Sequence, residues 1–251
     1  AVAAWVGIPD GEPPAKGRPI LTYGHGTKGN ADQCAPTKAG TYDTWQFSGL
    51  LAGLMGRGFV FIAPDYEGLG TPGPHPYAQA GMYGKNMLDA ARAVQRFEPA
   101  SATNEVMFMG FSAGGSALAK ASEIADKYAP ELKLLGGIGL AGAFVSSLGA
   151  SDLIMLGPNR AAMILVAAGS ETAYGADIAP VSRLLTDFGA NTLEAVEELC
   201  VGEVGSFVFA VSGSAETRVG GFESFALVPL EVLEEVAGVG DVSGVAFALC
   251  G

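Results

Sequence analysis

A serine flanked by glycines is the feature of this sequence with the clearest chemical meaning. Gly110, Ser112 and Gly114 form a G-x-S-x-G pattern, which alone is a weak signal. Its context strengthens it, because an apolar run at 105–109 precedes it and a small-residue helical stretch at 116–128 follows it. Glycines on both sides permit a sharp strand-to-helix turn around a strained nucleophile. The pattern therefore predicts Ser112 as an attacking hydroxyl; the alternative is a glycine-rich helix start without chemistry.

Acyl transfer at a serine also requires amide donors that stabilise the tetrahedral oxyanion. The amide of Ala113, directly after the nucleophile, is the first predicted donor. The second is expected in the loop after an earlier strand, where residues 24–27 read Gly-His-Gly-Thr. Glycine at position 26 lets the main chain approach a carbonyl closely. We therefore predict Gly26 as the second oxyanion donor with Thr27 as its neighbour; the alternative is a plain tight turn.

The general base is harder to place. The chain has two histidines, His25 and His75, and both precede Ser112. In strand–turn–helix serine hydrolases a base takes the serine proton, and the chain order is Ser, then Asp or Glu, then His. Acidic residues follow Ser112 but no histidine does, so we expect that the sequence stops before its acid and base. His25 is expected to brace the oxyanion loop, while His75 is retained as a candidate base on a loop at the same sheet edge.

Alternating strands and helices surround these residues. The apolar pattern predicts an α/β fold, with a mostly parallel sheet and right-handed crossovers in an α/β-hydrolase core over residues 1–143. Strands are predicted at 19–23, 58–63, 105–109 and 134–140, and helices at 44–56, 84–97 and 116–128. Residues 144–251 are predicted to form a mainly helical acidic lid. Helices are expected there at 152–168, 178–188 and 192–199, with strands at 206–211 and 242–249, the last a candidate returning core strand.

Charge and composition exclude some classes of partner. The net charge of −12 comes from residues 121–251, which hold 17 acidic and 5 basic residues, against 9 of each in residues 1–120. This balance argues against a nucleic-acid partner, because phosphate binding needs clustered Lys and Arg. The longest uncharged apolar run, 161–168, is too short for a transmembrane segment. Residues 1–8 lack the pattern of a signal peptide and read as a strand, so we expect that a leader has been removed.

The three cysteines, at positions 34, 200 and 250, show no metal-ligand spacing, and no metal is predicted. The residues alone leave two alternatives: one disulfide with one further thiol, or three buried free thiols.

Four segments together resemble the secretory lipase family of α/β-hydrolases, the fungal lipase-A type with its bacterial relatives. They are residues 24–27, 31–36, 63–77 and 110–115, within a stretch of dense similarity over about 18–142. The resemblance implies a secreted lipase or esterase that needs no cofactor, with Ser112 as nucleophile and Gly26 and Ala113 as oxyanion donors. It also implies a disulfide between Cys34 of the oxyanion loop and Cys200 of the lid. The family's catalytic Asp and His lie C-terminal to the lid, so the resemblance implies either a part of a longer protein or a shortened form.

The predicted activity is hydrolysis of lipid-like carboxylic esters in two acyl-transfer steps through Ser112, at a lipid–water interface. The rival hypothesis is a non-catalytic protein of the same fold that binds an apolar ligand or a partner under its lid. The lack of a histidine after Ser112 favours the rival.

Overall fold

A mostly parallel sheet, with five strands in the part of the chain that the structure describes, forms the centre of the fold. The computed structural model describes residues 1–40, 48–142, 160–181, 193 and 197–204. The strands are β1 (Ala4–Gly7), β2 (Arg18–Gly24), β3 (Val60–Pro64), β4 (Ala102–Phe111) and β5 (Lys133–Leu140), in the order β1-β3-β2-β4-β5. Strand β1 runs antiparallel to β3, and the other neighbours are parallel. The predicted α/β class and its mostly parallel sheet are confirmed.

The register of the two central strands brings the predicted site residues to one edge of the sheet. Strands β2 and β4 pair along their length, and Gly24 at the end of β2 lies opposite Gly110 near the end of β4. Parallel neighbours present their carboxyl ends at the same edge. The loop that begins at His25 and the turn at Ser112 therefore leave the sheet side by side.

Helices cover both faces of the sheet. Among the described residues they include α1 (Pro36–Ala39), α2 (Ser48–Met55), α3 (Ala80–Gln95), α4 (Ala113–Tyr128) and α5 (Arg160–Tyr174), with 3-10 turns at Asp32–Cys34 and Glu98–Ala100. On one face, residues of β2 and β3 pack with α3, α4 and α5. This buried cluster includes Ile20, Ile62, Met87, Leu88, Ala117, Ala121 and Leu165. On the other face the alternate strand residues pack with α2 in a second cluster: Leu21, Tyr23, Phe61, Ala63, Met109, Leu51 and Leu54. The side-chain alternation of strands explains this division.

The bounds of α3 differ from the sequence prediction of 84–97. The helix begins at Ala80 and ends at Gln95, and Glu98–Ala100 forms a separate 3-10 turn. The break lies at Phe97, whose backbone is extended at φ −89° and ψ 93°, so the helix does not continue into the 3-10 turn.

Two helix boundaries in the second half of the chain were also wrong. Helix α5 does not end at residue 168 but continues through Gly169 to Tyr174, because a glycine there allows close packing on the main chain of Tyr77. The helix predicted from residue 178 does not begin there, since residues 176–178 form a turn and residue 179 a bend. Pro180 disfavours helical backbone at the residue before it.

Much of the predicted lid falls outside the described residues, including the strands expected at 206–211 and 242–249. The division into a core at 1–143 and a lid at 144–251 therefore stays a prediction. In the described ranges every helix is too short or too polar to cross a bilayer. Nor does the described part of the chain contain a group of three or more His, Cys, Asp or Glu side chains placed to hold a metal ion.

Candidate functional site

Ser112 occupies a strained turn between a strand and a helix. Strand β4 ends at Phe111 and helix α4 begins at Ala113, with Ser112 between them at φ 52° and ψ −117°. A positive φ is uncommon for a residue with a Cβ and is a mark of functional sites. The Ser112 side chain makes no capping hydrogen bond to the helix. Its amide donates to the carbonyl of Leu140 on β5 at 2.9 Å, which fixes the turn to the sheet.

Glycines allow this turn to pack against its neighbours. A Cβ added at Gly114 would lie 1.9 Å from the carbonyl oxygen of Gly24, and one added at Gly110 would lie 2.1 Å from that of Gly114. Both contacts are with main-chain atoms, so no side chain can move to make room. The G-x-S-x-G spacing thus has a structural cause: β4, α4 and the end of β2 approach too closely for any side chain.

The predicted oxyanion residues lie next to the serine. A Cβ added at Gly26 would lie 3.5 Å from the Cβ of Ser112. Ala113 is the first residue of α4, where the helix dipole favours negative charge. The structure therefore brings Ser112, Ala113 and Gly26 together. The side chain of Thr27 is hydrogen-bonded to the hydroxyl of Tyr77.

His25 is buried and supports the loop that carries Gly26. Its Nδ1 donates to the carbonyl of Gly26 at 2.7 Å, and its ring lies 4.5 Å from the ring of Tyr66. The Tyr66 hydroxyl donates to the carbonyl of His25 at 3.2 Å. Burial lowers the pKa of His25 to about 4, so the ring is neutral at neutral pH. These contacts match the bracing role expected from the sequence.

His75 is held by hydrogen bonds at both ring nitrogens. Nδ1 donates to the carbonyl of Glu67 at 2.7 Å, and Nε2 accepts from the hydroxyl of Tyr83 at 2.8 Å. Burial lowers the pKa of His75, which favours the neutral ring that this arrangement needs. The contacts anchor the loop after β3 to helix α3. The role of His75 as general base stays a prediction.

Several residues around the site were not singled out from the sequence. The buried carboxylate of Asp65 accepts hydrogen bonds from the amide of Thr37, at 3.3 Å, and from its hydroxyl, and burial raises the pKa of Asp65. The rings of Tyr66 and Tyr83 stack with centroids 4.0 Å apart. The sequence signal that could have identified three of them is the 63–77 segment of the family resemblance, which contains Asp65, Tyr66 and Tyr77.

A disulfide ties the loop of Gly26 to a segment 166 residues away in sequence. Cys34 and Cys200 are bonded, as the family resemblance implied, with their Cα atoms 5.4 Å apart. Gly29 also forms a β-bridge with Cys200, and the amide of Val201 donates to the carbonyl of Lys28 at 2.8 Å. The pairing of Cys34 with Cys200 is confirmed; Cys250 lies outside the described residues.

The sequence is similar to proteins of a known family. The model of the secretory lipase family matches residues 35–221, which is more than half of the chain. The chain belongs to the secretory lipase family. It is similar to a secreted triacylglycerol lipase of Malassezia globosa, with 28% identity over 203 residues, 75% of this chain and 34% of that protein.

Two further similarities are informative. A probable inactive lipase of Mycobacterium tuberculosis is 25% identical over 210 residues, which cover 79% of this chain and 46% of that protein. The crystal structure of Candida antarctica lipase A in its closed state matches with a TM-score of 0.65 at 20% identity, over 94% of this chain and 55% of that one. This last similarity supports the α/β-hydrolase fold. The chain spans between a third and a half of the length of these two curated relatives.

Proposed function

We propose that this protein is a carboxylic ester hydrolase of the lipase or esterase type that acts through an acyl-enzyme at Ser112. The observation that carries the proposal is the strained turn at Ser112 with Gly26 beside it. A hydroxyl at a sharp strand-to-helix turn, next to a helix N-terminus and a glycine loop, suits attack on a carbonyl carbon. Membership of the secretory lipase family supports the same reaction.

The proposed reaction has two steps. The Oγ of Ser112 attacks the ester carbonyl, and the resulting oxyanion accepts hydrogen bonds from the amides of Ala113 and Gly26. Collapse of this intermediate releases the alcohol with a proton and leaves the acyl group on Ser112. Water then attacks the acyl-enzyme, which releases the carboxylic acid and restores the serine. The proton transfers need a general base, which is not assigned. His75 is a weak candidate, since its ring nitrogens are hydrogen-bonded to the carbonyl of Glu67 and the hydroxyl of Tyr83.

The proposed substrates are lipid-like esters taken from a lipid–water interface outside the cell. The secreted triacylglycerol lipase of Malassezia globosa supports both the substrate class and the location. The Cys34–Cys200 disulfide agrees with an oxidising compartment, where such bonds form and persist.

Labelling and turnover test the proposal together. The chain is treated with a fluorophosphonate probe and assayed with p-nitrophenyl esters of short and long acyl chains, beside Ser112→Ala. Labelling and hydrolysis that disappear in Ser112→Ala are expected, with the longer ester preferred. Labelling that persists in Ser112→Ala would place the nucleophile elsewhere and contradict the assignment.

The second candidate function is binding of an apolar ligand without catalysis. The observation that favours it is that both histidine rings are hydrogen-bonded to the surrounding structure: Nδ1 of His25 donates to the carbonyl of Gly26, and both ring nitrogens of His75 have partners. A mycobacterial relative also bears the description probable inactive lipase. A folded parent chain that binds a fluorescent fatty acid but neither reacts with the probe nor cleaves esters would support this function over hydrolysis.

A further inference from the structure

The side chain of Tyr77 connects the oxyanion loop to the rest of the fold. Its hydroxyl is hydrogen-bonded to the hydroxyl of Thr27, the residue after Gly26. The Tyr77 side chain is buried, and this burial raises its pKa, so the hydroxyl keeps its proton at neutral pH. One planar peptide unit joins Thr27 to Gly26. A contact that fixes Thr27 therefore restrains the backbone dihedral angles at Gly26, and through them the direction of the Gly26 amide in the preceding peptide unit.

The main chain of Tyr77 is fixed by helix α5. A Cβ added at Gly169 of this helix would lie 2.3 Å from the carbonyl oxygen of Tyr77 and 2.4 Å from its nitrogen. Next to this contact, Nε2 of Gln79 donates to Oγ of Ser170 at 3.4 Å. Helix α5 therefore packs directly on the backbone of Tyr77 without an intervening side chain.

Helix α3 fixes the same loop from another direction. The amide of Tyr77 donates to the carbonyl of His75 at 2.9 Å, and Nε2 of His75 accepts from the hydroxyl of Tyr83 on α3 at 2.8 Å. Tyr77 is thus held by two helices, while its hydroxyl reaches the oxyanion loop.

We infer that Tyr77 is a positioning residue for the reaction at Ser112, which holds Thr27 and therefore the Gly26 amide in the orientation that the oxyanion requires. This inference rests on the proposed function. Tyr77 acts through Thr27 and needs no contact with substrate. Loss of its hydroxyl frees the Thr27 side chain and lets the backbone rotate at Gly26, so that the Gly26 amide turns away from Ser112. A misplacement of about 1 Å at a reacting centre can reduce a rate about 100-fold.

The test is the kinetics of fluorophosphonate labelling of the full chain, measured over a range of probe concentrations. This series separates the probe's binding constant from the rate constant of the chemical step. Tyr77→Phe and Thr27→Val should each lower the rate constant roughly 10- to 100-fold and leave the binding constant unchanged. Thr27→Ser, which keeps the hydroxyl, should label at close to the parental rate. The Tyr77→Phe/Thr27→Val double variant should be no slower than the slower single variant, because both changes remove the same contact.

Tyr128→Phe is the matched control. It also loses a tyrosine hydrogen bond, from the Tyr128 hydroxyl to Oδ2 of Asp89 at 2.8 Å, on the exposed side of α3 and α4. This variant should label at the parental rate. A loss of equal size in Tyr128→Phe would mean that Tyr77→Phe acts through general destabilisation, and would overturn the inference.

Hydrogen exchange separates this inference from the proposed function. A folded parent chain that the probe does not label contradicts the function, and the positioning role is then decided by the exchange rates of the amides at residues 26–28. Faster exchange at these amides in Tyr77→Phe and Thr27→Val, but not in Thr27→Ser or Tyr128→Phe, supports it. Unchanged labelling together with unchanged exchange in Tyr77→Phe and Thr27→Val overturns it. If Tyr77→Phe does not fold, the comparison of Thr27→Val with Thr27→Ser decides the inference.

Discussion

Substitution of Gly114 by alanine is expected to separate the turn at Ser112 from the loop that carries Gly26. The added Cβ would lie 1.9 Å from the carbonyl oxygen of Gly24 and 2.9 Å from that of His25. Contacts of a Cβ below 3.0 Å essentially do not occur in proteins, so α4 and the end of β2 must move apart by about 1 Å. Both partners are main-chain atoms, and neither can rotate away.

The magnitude follows from the size of this overlap. Overpacking in a well-packed core costs about 1–3 kcal/mol. The added Cβ clashes with main-chain atoms, which places Gly114→Ala at the upper end of that range. The higher helix propensity of alanine offsets about 0.5–1 kcal/mol. The net expectation is a loss of roughly 2 kcal/mol in the free energy of unfolding. Separation of Gly26 from Ser112 by about 1 Å should also slow labelling of the serine about 100-fold.

Denaturant unfolding and fluorophosphonate labelling measure the two effects, with Gly81→Ala as the control. Gly81 lies inside helix α3, and a Cβ there would meet no heavy atom within 4 Å. Gly81→Ala should raise stability by about 0.5–1 kcal/mol and leave labelling unchanged. If Gly114→Ala gained stability like Gly81→Ala and labelled at the parental rate, the close approach of α4 to Gly24 would be refuted.

Three further predictions follow from the described contacts. His25 binds a proton near pH 6.5 in the unfolded chain and only near pH 4 in the folded chain. Through His25, the free energy of unfolding should therefore fall by about 1.4 kcal/mol for each unit by which the pH is lowered from 6.5 towards 4; urea titrations should show a shallower fall in His25→Asn. Ser112→Gly should raise stability by about 1 kcal/mol over Ser112→Ala in thermal unfolding, because glycine relieves the strain at φ 52°, and equal stabilities would contradict that strain. Cys200→Ser should cost about 2–5 kcal/mol and speed exchange of the Val201 amide, because it opens the disulfide and loosens the bridge in which this amide donates to the carbonyl of Lys28; unchanged exchange would contradict the clamp on this loop.

The local features of this fold were predictable because their causes lie in adjacent residues. The continuous apolar runs of β3 and β4 indicate strands buried on both faces, and the glycines around Ser112 indicate a turn that excludes side chains. The parallel order then places the loop of Gly26 beside that turn. The turn at Ser112 and the loop beside it could therefore be placed from the sequence.

The supporting contacts could not be predicted, because they join residues far apart in the chain. Thr27 meets Tyr77 across 50 positions, and Thr37 meets Asp65 across 28 positions. No local pattern encodes such pairs. The end of α5 was misplaced for the same reason. Gly169 lies inside this helix where the helix packs on the main chain of Tyr77, a residue 92 positions away.

The central claim is that the hydroxyl of Ser112 faces the amides of Ala113 and Gly26, and a crystal structure of the phosphonylated protein tests it most directly. We expect phosphorus bonded to Oγ of Ser112, with the phosphoryl oxygen about 2.7–3.1 Å from the two amide nitrogens. An adduct on another residue, or a phosphoryl oxygen directed away from the Gly26 amide, would contradict the claim.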